Sequence, residues 1–209
     1  MPDYFPAFLD LRGRRCLVVG GGEVAERKVR ALLECGARVA VVSPAVTPGL
    51  GALAVAGSVT YCRRAFRRFD VRDSAVVIAA TGVGEVDAAV AHAARRKRGV
   101  LVNVVDRPAE CDFIFPSVLR RGQLQIAVST GGRSPALARE IRRRLERLFG
   151  PEHTGLVERV GEDRKRARAA ATTRAARMSA GERVVAAALL GMNANRRHGA
   201  AEAGGAGGV

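Results

Sequence analysis

The sequence predicts a doubly wound α/β fold of Rossmann type, a parallel sheet covered by helices, followed by a small α+β region and a helical C-terminal part. Three observations lead there. Up to about residue 115, short apolar runs rich in β-branched residues alternate with helix-like stretches. A glycine turn, "GGG" at 20–22, directly follows the first run and opens the first helix-like stretch. Beyond residue 115 the alternation stops, and two strand-like runs about a glycine lead into one long amphipathic pattern.

The runs of the first region, 1–115, are "CLVVG", "RVAVVS", "SVTYC", "AVVIAAT" and "VLVNVV". Short runs without polar alternation suit strands buried on both faces. Helix-like stretches at 23–35 and 84–98 lie between them. In the second region, 116–150, "SVLRRGQLQIAVST" reads as two strands around a tight Arg121-Gly122-Gln123 turn. A helix then starts with Ser134 as N-cap and Pro135 at the first helical position. Leu137, Ile141, Leu145 and Leu148 recur at helical spacing, with Arg139, Arg142, Arg143 and Arg147 mostly away from them. A hairpin and one amphipathic helix are too little to fold alone. This region therefore needs the first region or a second subunit over it, and a homodimer is expected. The third region, 151–193, is Ala- and Arg-rich and reads as helical, with a capping box from Ser179 to Glu182 before "RVVAAALL". The tail, 194–209, has nothing to bury and is expected to be disordered.

Composition narrows the function classes. With 209 residues and 48% hydrophobic content, the chain can bury one or two cores, and with 4% aromatics these must be built from Val, Ala and Leu. No apolar run approaches a membrane span, so no membrane partner is expected. The start, "MPDYFPAFLD", lacks the basic segment of a secretory signal. Four cysteines form no CxxC pair, and Cys16 and Cys35 sit in apolar contexts that suit reduced core thiols. A cytoplasmic location follows as an expectation. Three scattered histidines give no metal-ligand cluster. The net charge of +15 points to an anionic partner, and the Lys+Arg excess is densest in 116–150, at 8 against 2 acidic residues. Nucleic acid is not favoured, because the basic runs carry no interleaved aromatics and no recognition motif. Much of the arginine can equally be a solvated helix face.

Three stretches carry chemistry. Gly20, Gly22 and Ala25 fit G-x-G-x-x-A between a strand and a helix. The first glycine permits the tight turn, the second lets a pyrophosphate approach the backbone, and Ala25 permits close packing of helix on strand. The acidic residue that commonly holds an adenosine ribose is missing after the second strand, where Ser43, Pro44 and Ala45 stand. No arginine sits there for a 2′-phosphate either, so NAD is favoured over NADP, with the ribose held by Ser43 or by backbone of Pro44 and Ala45. The second stretch is "NVVDRPAECDFIFPS". Asn103 and Asp106 fall at the carboxyl end of a strand, where open α/β sheets place ligands. Asp106 is either a general base or substrate-positioning carboxylate, or a cap on the loop before Pro108. Glu110 and Asp112 read as solvated loop carboxylates. The third stretch, "VSTGGRSP", leads small hydroxylated residues, Thr130 among them, into the helix N-terminus at Ser134. With Arg133 it is either an anion site or an ordinary strand-to-helix turn.

Together "FLDLRGRRCLVVGGGEVAERK", "IAAT", "NVVDRPAECDFIFPS" and "IAVSTGGRSPALAR" resemble the precorrin-2 dehydrogenase/sirohydrochlorin ferrochelatase family, the N-terminal module of siroheme synthase. The resemblance runs from about Phe8 to Phe149, is thin over 151–193 and absent from the tail. It implies an NAD-binding domain, a dimerisation region and oxidation of precorrin-2 to sirohydrochlorin with NAD⁺. Some relatives also insert Fe²⁺, and a non-catalytic NAD-binding regulator is a third reading. The methylation upstream is expected to belong to a separate uroporphyrinogen methyltransferase. Asp106 matches the family's catalytic aspartate. Glu23, Val24, Pro44 and Ala45 match its NAD contacts, and Thr81 lies at the mouth of the same crevice. Thr130 stands where a relative has a phosphorylatable serine. Arg120, Arg121 and Arg133 are the candidates for the carboxylates of the tetrapyrrole. Departures stand out: Gly82 and Val83 stand where many relatives have acidic residues after "AAT", and the "RRKR" run at 95–98 and the Arg-rich helix exceed the family pattern.

Overall fold

The computed structural model describes residues 4–176 and 178–188. They form two compact units, the first reaching Phe115 and including Gly131–Arg133, the second comprising Pro116–Thr130 and the chain from Ser134.

The first unit holds five parallel strands: β1 (Arg15–Val19), β2 (Arg38–Val42), β3 (Val59–Cys62), β4 (Val76–Ala79) and β5 (Leu101–Val104). Their order is β3-β2-β1-β4-β5, so β1 pairs with β2 on one side and β4 on the other. Successive side chains in a strand point to opposite faces, and here both faces are apolar. Leu17, Val19, Val77 and Ala79 face one core with Val90, Ala91 and Ala94 of α3 (Gly84–Arg95). Cys16, Val18, Val76 and Ile78 face the other with Ala25, Val29 and Leu32 of α1 (Glu23–Glu34). The doubly wound α/β class is as the sequence predicts. One helix escapes the sequence pattern: α2 (Pro48–Val55), capped by Thr47, whose hydroxyl accepts from Leu50 N at 3.2 Å. Two glycines within "PGLGALAV" dilute its helical signal, although Thr-Pro is a start signal.

In the second unit β6 (Ser117–Arg121) and β7 (Leu124–Val128) pair antiparallel, with Arg121 opposite Leu124. The loop is thus two residues, Gly122-Gln123, and Arg121 belongs to the strand rather than to the turn. Gly122 adopts φ +55°, which suits the two-residue hairpin. Helix α4 (Pro135–Leu148) begins where Ser134-Pro135 predicts, the Ser134 hydroxyl accepting from Leu137 N at 3.2 Å. A 3₁₀ turn at Pro151–His153 leads into α5 (Leu156–Ala170). The capping box at Ser179 is a misreading. Ser179 lies inside a helical stretch, 178–188, and its hydroxyl donates back to the Ala176 carbonyl at 3.3 Å. A hydroxyl committed one turn backwards cannot cap the turn ahead. The disordered tail expected at 194–209 lies outside the described residues.

Candidate functional site

The carboxyl ends of β1 and β4 are adjacent, and the chain leaves them for α1 and α3. This is the switch point of the sheet, where a doubly wound fold opens a ligand crevice. At β1 the glycines divide the labour. Gly20 has φ +127° and a β-carbon there would fall on the Ala80 carbonyl. A β-carbon on Gly21 would fall on the Ala45 carbonyl and lie 2.8 Å from Ser43 Oγ. At Gly22 a β-carbon would meet nothing within 4 Å. Gly22 is also the N-cap of α1 and has no side chain to satisfy the first-turn N–H groups. That open cradle fits the pyrophosphate of a dinucleotide.

The end of β2 closes the crevice's other wall. Ser43 is buried, and its hydroxyl donates to the Ala45 carbonyl at 2.6 Å. Its own carbonyl accepts from the Tyr61 hydroxyl at 3.1 Å. The Ser43 side chain therefore shapes the turn, while Pro44 and Ala45 are exposed. Glu26 in the first turn of α1 accepts from Thr47 Oγ1 at 2.5 Å and from Arg30, and both hold its carboxyl below the usual range. Glu23 is exposed and Val24 half-buried at the same helix start.

After β4, the turn is organised by Asp87 of α3, which is buried. Its Oδ1 accepts from Thr81 N at 3.1 Å and Thr81 Oγ1 at 2.8 Å. Thr81 Oγ1 in turn accepts from Val83 N at 3.1 Å. Gly82 has φ +73° with open space beside it.

After β5 comes Asp106, exposed and held at φ +60°. Aspartate is among the few residues with a β-carbon that visit this left-handed region readily. The segment beyond it is fastened back onto the sheet. Asn103 is buried and donates to the Phe113 carbonyl at 2.9 Å and Cys111 Sγ at 3.4 Å. Cys111 Sγ accepts from Val104 N at 3.2 Å, and burial pushes its thiol up. Asp112 is exposed, as the sequence suggests, and it is also bonded to the sheet. It exchanges two bonds with Val102, Oδ2 accepting from Val102 N and its own N–H donating to Val102 O, each at 2.8 Å. Edge strand β5 has unpaired backbone groups, and Asp112 satisfies those of Val102 as Cys111 satisfies those of Val104. Glu110 pairs with Arg107 at 3.2 Å.

The segment ends on Phe113 and Phe115, which pack with the α1 core, their rings 5.4 Å apart. Lys28 of α1 lies with Nζ 3.5 Å from the Phe115 ring centroid. Burial foremost, then repulsion from Arg27, pulls its ammonium down to about 8, against the attraction of Cys111 and Asp106. Gly21, Asp87 and Lys28 are contributors that the sequence reading missed. Lys28 has one sequence signal, its position four residues after Val24 on the same helix face.

Lys28 carries a stability prediction. Its folded pKa of about 8 is below the ordinary 10.5, so between those values the unfolded chain binds the extra proton. Stability contributed through Lys28 thus rises with pH across that window and is lowest below it. Lys28→Met is expected to raise the urea midpoint at pH 7, with the difference from wild type shrinking towards pH 10.5. A difference that stays constant with pH would remove the buried charge as its cause.

The remaining candidates are not gathered at this crevice within the first unit. Arg120, Arg121, Thr130 and Ser134 belong to the second unit, and Arg133 to the short piece 131–133 of the first. Arg121 donates to the Phe149 and Arg120 carbonyls at 2.8 and 2.9 Å, and Thr130 Oγ1 accepts from Ser134 N at 3.0 Å. Among the described residues no group of His, Cys, Asp and Glu is arranged to hold a metal ion, and no helix is long and apolar enough to cross a membrane.

Comparison with known proteins agrees with this layout. A family model described as putative NAD(P)-binding matches residues 7–117, and one described as sirohaem biosynthesis protein central matches residues 121–148. The chain is 48% identical over 167 residues to the siroheme synthase of Nitrosomonas europaea and 43% identical over 190 residues to siroheme synthase 1 of Aeromonas salmonicida. These alignments cover 79% and 90% of this chain but 35% and 40% of the relatives, so the chain spans well under half their length. Among solved structures, the precorrin-2 dehydrogenase SirC superposes with a TM-score of 0.73 at 26% identity, covering 87% of this chain and 89% of that one.

Proposed function

The chain belongs to the putative NAD(P)-binding family whose model matches residues 7–117, and from that premise we propose that it oxidises precorrin-2 to sirohydrochlorin with NAD⁺. The carrying observation is Asp106, an exposed carboxylate held in a left-handed turn after β5, at the same carboxyl end of the sheet as the open Gly22 cradle after β1. NAD, when bound, supplies the hydride acceptor. The Gly20–Gly22 turn and the N–H groups of α1 hold its pyrophosphate, and backbone at Pro44 and Ala45 meets the ribose. In the reaction one hydrogen leaves the macrocycle with its electron pair and a second leaves as a proton. Asp106 takes the proton, so that each turnover gives one NADH and one H⁺. Arg120, Arg121 and Arg133 supply positive charge for the substrate's carboxylates. Thr130 and Ser134 belong to the same stretch of chain as Arg133, and Asn103 at the end of β5 holds the Cys111–Phe113 segment that follows Asp106. A uroporphyrinogen methyltransferase makes the substrate upstream, and the cytoplasm is the expected compartment.

The assay is anaerobic NADH absorbance after mixing the protein with precorrin-2 and NAD⁺. Its appearance at a rate proportional to enzyme is the expected result. No NADH from well-folded protein that still binds NAD would replace this reading with that of a non-catalytic regulator. The relatives' name, siroheme synthase, favours a fuller reading in which the same site also inserts Fe²⁺, Asp106 taking the pyrrole protons. Sirohydrochlorin and Fe²⁺ combining no faster with the protein than without it would confine the chain to dehydrogenation.

The second unit supports a homodimer. On α4, Leu137 and Leu148 remain about half exposed, at 51% and 55%, and Ala138 is the helix's one buried residue. A second copy laid on this face would cover the apolar stripe. Sedimentation equilibrium should give twice the chain mass, and Leu137→Glu should shift it towards one.

A further inference from the structure

We propose that a cationic cavity at the amino ends of β4 and β5 binds an oligophosphate anion, at the opposite end of the strands from the dinucleotide crevice. The cavity, about 600 Å³, is built from two elements. Arg68, Phe69 and Arg72 come from the 3₁₀ turn Arg68–Val71 and the residue after it, just before β4. His92, Arg96 and Lys97 come from the end of α3, just before β5. The two elements are joined beneath by buried Val71 and Ala93, which share one core. The loop is also tied from below, Arg15 donating to the Asp70 and Arg72 carbonyls at 3.0 and 2.5 Å and to Ser74 Oγ at 2.6 Å. The walls are therefore fixed, although the cationic tips are exposed.

No carboxylate lines this cavity. Asp70, the acid of the same turn, is buried, and its carboxylate is taken by Arg64 at 2.6 Å and by the Arg67 N–H at 2.8 Å. Among the described residues Arg68, Arg72, Arg96 and Lys97 make no ion pair with an acid. Arg96 and Lys97 have a structural use, since cations favour a helix C-terminus. That does not account for Arg68 and Arg72, which another element aims into the same space. Four permanent charges without counter-charge repel one another, and a multiply charged anion would relieve them all at once. Guanidinium groups suit phosphate oxygens in particular, and a di- or triphosphate has the charge to engage several. Phe69 is 50% exposed at the same wall, with the Arg64 and Arg67 guanidinium groups 5.5 and 6.0 Å from its ring centroid, and a nucleobase would stack on the part of the ring that these leave open. Inorganic triphosphate and a nucleoside triphosphate share this chemistry.

The test is calorimetric titration of the full chain, saturated with NAD⁺, with ATP and with inorganic triphosphate. Saturable binding is expected, weakened at least tenfold in Arg68→Ala/Arg96→Ala. Arg139→Ala/Arg147→Ala, which removes the same charge from α4, should leave it unchanged, and all variants are checked by thermal melting. Phe69→Ala then separates the sources. Loss confined to ATP assigns the site to a nucleotide, and equal binding of both assigns it to the phosphate chain alone. Absence of saturable binding, or equal weakening in the α4 pair, would overturn the proposal.

Discussion

Asp106→Asn should lower kcat for NADH formation by about 10²–10⁴-fold, the usual range for loss of a positioned general base. The choice of asparagine matters, because residue 106 sits at φ +60°. Asparagine tolerates the left-handed region as aspartate does, so the turn survives and only the ability to take a proton is lost. Alanine would combine two effects, loss of the carboxylate and strain of about 1–2 kcal/mol at a positive φ. NAD affinity and Tm should therefore stay near wild type in the asparagine variant while turnover falls. Unchanged turnover would leave Asp106 as a loop cap before Pro108 and move the proton acceptor elsewhere.

The second large effect concerns the glycine turn, where adjacent residues should fail in different ways. Gly21→Ala places a methyl group against the Ala45 carbonyl and Ser43 Oγ. Neither can retreat easily, since Thr47 N donates to the Gly21 carbonyl at 2.8 Å and the Ser43 hydroxyl is bonded to Ala45. Overpacking of this kind costs about 1–3 kcal/mol, which a thermal melt would read as a clear fall in Tm. Gly22→Ala meets nothing in the protein, and its φ of −81° suits alanine. The fold should keep its Tm, while NAD binding weakens by about tenfold or more as the methyl enters the space where pyrophosphate approaches backbone. Wild-type NAD affinity in Gly22→Ala would remove the cradle from the crevice.

These two cases show where the sequence was legible. The glycine turn, the buried runs and the Ser134-Pro135 helix start are local patterns, written in neighbouring residues by backbone sterics and periodicity. Local patterns also mislead. Ser179 fits a capping box, yet it lies within a helical stretch. Helix α2 hides behind two glycines that its packing tolerates, with Leu50 buried beneath it.

By itself the sequence determined the doubly wound class, the crevice-forming turn and a carboxylate at the end of β5, because each depends on residues close together in the chain. Tertiary structure alone decided the rest. Asp112 became the partner of an edge strand because Val102 lies opposite it. Lys28 became a half-buried cation because Phe115 is folded over it. The arginines on either side of β4 became one cavity because α3 packs against the 3₁₀ turn. Burial, charge pairing and pKa are properties of what surrounds a side chain, and distant residues become surroundings only when the sheet places them together.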